Sequence, residues 1–214
     1  MAKDSERYVP GSLFSPYSGG PYAYVEINRG LPVDAFEPYA LGYLEAAITL
    51  GEAAMRRPSD LAFYPLLHLF RHGVELSLKQ LSFHAAKYCG EPAPKKLDHL
   101  IADLWSELKP KLDTWIQSRR YSGDPPPESD EMDEIIGDLV KVEPDGFPSR
   151  YPTTKAGADI HPKLSIVDFA NFLKAVRRSE SVLRDWMNQL ADDAGVMSDY
   201  LEKRRRTRHE RSDG

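Results

Sequence analysis

Phe63-Tyr64-Pro65-Leu66-Leu67-His68-Leu69-Phe70-Arg71-His72-Gly73-Val74-Glu75-Leu76-Ser77-Leu78-Lys79 is the stretch on which the fold turns. At about 100° per residue, His68, Arg71, His72, Glu75 and Lys79 fall within one helical arc about 100° wide. Leu67, Phe70, Val74, Leu78 and Leu81 make an apolar stripe on the opposite side, and Leu66, Leu69 and Leu76 add apolar flanks. A helix this apolar on most sides is expected at the centre of its protein. Its charged stripe must then satisfy itself or hold a ligand, because an unpaired buried charge is costly.

Arg71 with Glu75, and Glu75 with Lys79, are i,i+4 pairs able to form a charge ladder. Three readings of it stay open. One is a buried polar network that ties the helix to its neighbours. The second makes Arg71, His72 and Glu75 a catalytic group, in which Arg71 and Lys79 hold a phosphate-sized anion beside the proton-transfer histidine His72. The third sets His68, His72 and Glu75 at i, i+4 and i+7 around a divalent metal. That last arrangement lacks the Glu-x-x-His pairs of di-iron bundles and puts Arg71 beside a cation, so no metal and no other cofactor is assigned.

Outward from this helix the pattern stays helical. Residues 1–37, rich in Pro, Gly and Tyr, read as an extended arm, and the alternation over Tyr22–Ile27 allows a short strand before a turn. A first helix follows Pro38 and stops at Pro58. Ser59 is a candidate cap for the second helix, which spans about Leu61 to Tyr88 and ends at Gly90. Asp98 is a candidate cap for a third, with Leu100, Leu104, Trp105 and Leu108 at helical spacing, a break or kink at Pro110, and a continuation through Leu112, Trp115 and Ile116. Residues 123–127 form a loop, 129–140 a short acidic helix, and 144–163 an irregular stretch. Ser165 is expected to cap the last long helix, which turns Phe169, Phe172, Leu173, Val176, Val182, Leu183, Trp186 and Leu190 inward and ends at Gly195. The expected fold is mainly α, a bundle of four to five long helices over residues 38–194, between the arm and a basic tail over residues 195–214.

Composition bounds the function. The 214 residues are 41% hydrophobic and 29% charged, ordinary globular usage. The first thirty residues hold no apolar run of signal-peptide or membrane-span length, and Cys89 is the one cysteine, so the expectation is cytoplasmic residence with no membrane partner. The net charge of −5 is uneven: Lys203–Arg211 carries six basic residues and one acid, leaving 22 basic and 32 acidic residues elsewhere. Nucleic-acid binding must therefore be local, in a pocket or at Arg204, Arg205 and Arg206, unless the tail is only a solvated helix end. The acidic run from Asp124 to Asp138 lacks EF-hand spacing and reads as a solvated face. Phosphate-binding glycine loops, nucleophile elbows and dinucleotide fingerprints are absent from the sequence.

Three segments taken in order, Arg71-His72-Gly73-Val74-Glu75-Leu76-Ser77-Leu78-Lys79, then Asp98-His99-Leu100 with Leu104-Trp105, then Ser149-Arg150-Tyr151-Pro152, resemble the HEPN-like helical proteins of prokaryotes. The resemblance covers residues 38–194. It implies a bundle of four or five helices, a homodimer or a partner protein, and RNA or a nucleotide as ligand. The superfamily includes metal-independent ribonucleases of toxin and phage-defence systems as well as noncatalytic interaction modules. Active members carry an Arg-x(4–6)-His motif near the last long helix. Here Arg150 precedes His161 by ten intervening residues, and the one pair at the required spacing, Arg204 and His209, lies in the arginine-rich tail. His99 and Arg150 join Lys79 as nucleic-acid contacts on this reading; on the structural one, His99 packs at a helix start and Arg150 pairs with an acid.

Overall fold

The computed structural model describes residues 35–57, 59–95, 97–120, 126–151, 157 and 166–212, without the side chains of 205 and 207–212. Five α-helices follow in order: α1 Glu37–Arg56, α2 Phe63–Tyr88, α3 Ile101–Arg120, α4 Asp130–Val142 and α5 Phe169–Ser212, with a single 3-10 turn at Asp60–Ala62 leading into α2. The mainly helical bundle expected from the sequence is present. No strand occurs among the described residues, and none of their helices is long and apolar enough to cross a membrane. The arm, its expected strand at Tyr22–Ile27, and Ser165 lie outside the described residues, apart from 35–37.

α2 is central, packing against α1, α3 and α5. From Gly73 to Leu81 every residue is buried, polar and charged ones included, as a helix covered on all sides requires. Gly73 explains how α1 comes so close: a Cβ there would lie 2.7 Å from the Leu44 side chain and 3.2 Å from its backbone nitrogen. Gln80, also buried, has a structural task. Its Oε1 accepts the backbone N–H groups of Phe36 and Glu37 at 2.8 and 3.2 Å, so a side chain of α2 caps the start of α1.

Pro65 sits in the first turn of α2, where its missing N–H costs no intrahelical bond. The helix ends as expected at Gly90. Glu91 N–H donates to Ala86 O and Gly90 N–H to Lys87 O, a Schellman closure made possible by φ of +68° at Gly90. The N-terminal caps come out differently. Ser59 makes no side-chain capping bond, because the chain enters α2 through the 3-10 turn. Asp98 accepts the N–H of His99, its neighbour, while α3 starts at Ile101. Asp168 caps α5, accepting the N–H of Asn171 at 3.0 Å.

Of the break or kink expected at Pro110 the break is absent, and α3 continues through it as expected. A further expectation needs correction. α5 does not end at Gly195 but continues to Ser212. A glycine costs about 1 kcal/mol against alanine within a helix, which is too little to stop one whose other residues favour it. At 44 residues α5 is about 66 Å long, against about 39 Å for α2. Among its described side chains the last buried one is Ala194, so the expected basic tail is a helical extension beyond the core.

The three tryptophans bind α3, α4 and α5 together. Trp105 Nε1 donates to Asp133 (2.6 Å), Trp115 Nε1 to Asp193 (2.7 Å) and Trp186 Nε1 to the Pro127 carbonyl (2.8 Å). Each ring is thus buried without leaving its N–H unsatisfied. The acids of α4 are not an isolated patch either. Besides Asp133, Glu131 pairs with Arg178 of α5.

Candidate functional site

The charge ladder forms as its spacing predicts. Arg71 Nη1 donates to Glu75 Oε2 at 2.6 Å and Lys79 Nζ to Glu75 Oε1 at 2.7 Å. All three residues are buried, with Arg71 3%, Glu75 2% and Lys79 6% exposed. Two further segments close over them. The link between α2 and α3 brings His99, whose carbonyl accepts from Arg71 Nη2 at 2.7 Å and whose Nδ1 lies 2.8 Å from Glu75 Oε1. The segment after α4 brings the Glu143 carbonyl, 3.4 Å from Arg71 Nε.

Gly146 makes room for this closure. Its φ is +76°, and a Cβ on it would stand 2.9 Å from the Arg71 guanidinium carbon. Arg150, exposed at the edge, donates Nε to the Gly146 carbonyl at 2.5 Å. Its described hydrogen-bond partner is therefore backbone, where the structural reading expected an acid. Glu143 itself is fully buried and accepts both the N–H of Ser149, at 2.9 and 3.0 Å, and its hydroxyl, at 2.5 Å. Its carboxylate is taken up by Ser149 and only its backbone carbonyl meets Arg71, so the carboxylate paired with both buried cations is that of Glu75.

Burial pushes the Glu75 carboxyl up, but His72, Lys79, His99 and Arg71 around it together hold it well below the usual carboxylate range. It is therefore ionised and can only accept hydrogen bonds. His72 belongs to this group at longer range: its Nδ1 is 3.8 Å from Glu75 Oε2, beyond hydrogen-bonding distance, and its side chain is 32% exposed. Tyr43 of α1 meets the His72 ring edge-on at 4.5 Å, and His68 lies parallel to it at 6.0 Å. Burial, with the neighbouring His72, Arg150 and Arg71, lowers the His68 pKa, and its Nδ1 is 3.3 Å from Ser149 Oγ.

The structure thus brings Arg71, His72, Glu75, Lys79 and His99 together and sets Arg150 beside them through Gly146. Arg204 and Arg206 lie on the α5 extension with local partners, Arg204 over the Tyr200 ring at 5.6 Å and Arg206 3.9 Å from Glu202. The Arg205 side chain is outside the described residues. The metal reading of His68, His72 and Glu75 fails, since Glu75 is taken up by cations and no group of three such ligands among the described residues is placed to hold an ion. Sequence reasoning missed Glu143 and Gly146. Glu143 contacts Arg71 across 72 residues of chain, and nothing in its neighbourhood marks it as buried. The one local signal was Gly146, in a Pro-rich stretch where a positive φ is common.

His99 differs from the rest of the group. Its side chain is 77% exposed, yet its Nδ1 is fixed to a carboxylate 2% exposed. No family model, no curated protein and no solved structure matches the chain.

Proposed function

We propose that this chain is a HEPN-like helical module that binds RNA or a nucleotide at the rim of the Arg71–Glu75–Lys79 ladder, where a ligand meets His99 and His72. The contact between exposed His99 and buried Glu75 carries the reading. Arg71 and Lys79 already pair with the Glu75 carboxylate, without any imidazole. The bond to His99 therefore orients a solvent-facing group; it does not compensate a buried one. Arg71 and Lys79 take the positioning role, since burial keeps them from a phosphate. The polyanion attraction that the acidic body withholds comes from Arg204, Arg205 and Arg206 on α5. The homodimer implied by the resemblance is part of this proposal, with light scattering as its check.

Filter retention of labelled single-stranded RNA tests it. His99→Ala is expected to weaken retention about tenfold, the equivalent of roughly one good hydrogen bond to a charged group, while the thermal midpoint stays near that of the wild type. Unchanged retention would sink the reading.

A second reading, a noncatalytic interaction or dimerisation module, is favoured by the saturation of Arg71, whose Nε, Nη1 and Nη2 all donate to protein acceptors. Under it, substitution of Arg71 or His72 alters stability or the oligomeric state and leaves RNA retention unaffected.

A further inference from the structure

We propose that the cleft between α2, α4 and α5 is a binding site for a small organic ammonium ion with an apolar body. It is separate from the ladder and independent of the RNA reading, since none of its lining residues belongs to the Arg71–Glu75–Lys79 group. The cleft has a volume of about 260 Å³. Its opening follows from how α4 meets α5. Glu131, in the first turn of α4, pairs with Arg178 of α5. Further along α4, Ile135, Leu139 and Val142 share the cleft with Ala175, whose single methyl group leaves the gap between the two helices unfilled.

The interior is apolar and aromatic. Phe63 and Phe70 of α2 and Phe172 of α5 all line it, and the Phe172 ring centroid lies 5.6 Å from that of Phe63 and 5.7 Å from that of Phe70, the second pair edge-on. Water in such a space finds few polar partners, so an apolar body that displaces it is favoured. Phenyl walls accept an aryl or alkyl body by contact, and their faces also attract a cation held nearby.

The polar lining is one-sided in charge. It consists of Asp138, Asp168 and Asn171, all exposed, and no lysine, arginine or histidine lines the cleft. Asp168 Oδ1 accepts the N–H of Asn171 at 3.0 Å as the cap of α5, which leaves Oδ2 without a partner among the described residues. Asp138 pairs with Lys141 at 2.8 Å, but both side chains are at least 75% exposed, and a pair in that setting holds weakly enough for a ligand cation to compete. An apolar interior under an acidic mouth binds an apolar cation better than a neutral molecule or an anion of the same shape.

The test titrates the full chain with phenethylammonium and, separately, with the uncharged 2-phenylethanol, followed by amide NMR shifts. Phenethylammonium is expected to give saturable shifts at Leu139, Val142 and Ala175, and the alcohol to bind about fivefold more weakly, the scale of a pair of partly exposed ionic contacts. The double variant Asp138→Asn/Asp168→Asn keeps a capping side chain on α5 and should erase the difference between the two ligands. Ala175→Leu fills the cleft and should abolish binding of both; if its spectrum loses the dispersion of a folded chain, Asn171→Leu at the exposed mouth serves as the blocking variant. Absence of saturable shifts with phenethylammonium overturns the proposal, as do shifts confined to other residues and binding that survives the blocking variant. Equal affinity for the two ligands, or a preference that persists in the double variant, overturns the assignment of an ammonium ion and leaves an apolar cleft without charge selection.

Discussion

Two charged stretches of this chain invite the same first reading, the stripe Arg71–Lys79 on α2 and the run Lys203–Arg211 on α5, and the structure treats them in opposite ways. On α2, three helices and two connecting segments cover the charges, so each has a fixed partner within 2.6 to 2.8 Å. On α5, the core has ended at Ala194, and Arg204 and Arg206 are exposed, Arg206 with 80% of its side chain in solvent, with one turn of their own helix for company. Charge in a sequence says little until the number of elements over it is known. The same guanidinium is a structural member in one place and a surface charge in the other.

The sharpest way to break this contrast is at Glu75. Glu75→Ala leaves Arg71 and Lys79 buried without their acid and is expected to cost about 3–5 kcal/mol, read from the midpoint of urea unfolding. Proton titration approaches the same residue more gently. The Glu75 carboxyl is held below its usual range in the fold and returns to about 4.3 in the unfolded chain. The stability it contributes is therefore complete above about pH 5 and is lost as pH falls through that unfolded value toward the folded one. The gap in urea midpoint between wild type and Glu75→Gln is expected to narrow between pH 6 and pH 3; a gap that stays constant would separate the carboxylate's charge from the ladder's stability.

Gly146→Ala tests the cover itself. It combines a left-handed backbone with a collision at the Arg71 guanidinium, and about 1–3 kcal/mol is expected from the same unfolding measurement. His99→Ala removes one hydrogen bond from an exposed ring and is expected to cost about 0.5–1.5 kcal/mol. A much larger loss would make His99 part of the scaffold. Deleting residues 203–214 is expected to change stability by no more than about 0.5 kcal/mol and to flatten the salt dependence of RNA retention. A destabilisation of several kcal/mol would show that the α5 extension is not the solvated half of the comparison.

What was legible in the sequence follows the reach of each interaction. The ladder was readable because Arg71, Glu75 and Lys79 are one helical turn apart, and the end of α2 because Gly90 closes it with bonds to the preceding turn. The N-terminal caps were misread at Ser59 and Asp98, where a residue of suitable type uses its side chain elsewhere or not at all. Gly195 was overread, since the helix formers of the surrounding turns outweigh one glycine. Glu143, Gly146 and the exposure of His99 were beyond reach, because each depends on which segment closes over α2.

The cap that Gln80 supplies to α1 has a consequence for synthesis. Glu37 leaves the ribosome 43 residues ahead of the side chain that accepts its N–H. At about 5–20 residues per second this is a delay of roughly 2–9 s, during which the first turn of α1 has only water for its amides. Nascent α1 is therefore expected to remain frayed at its start until the middle of α2 has emerged, so that the two helices gain their order together, as a hairpin.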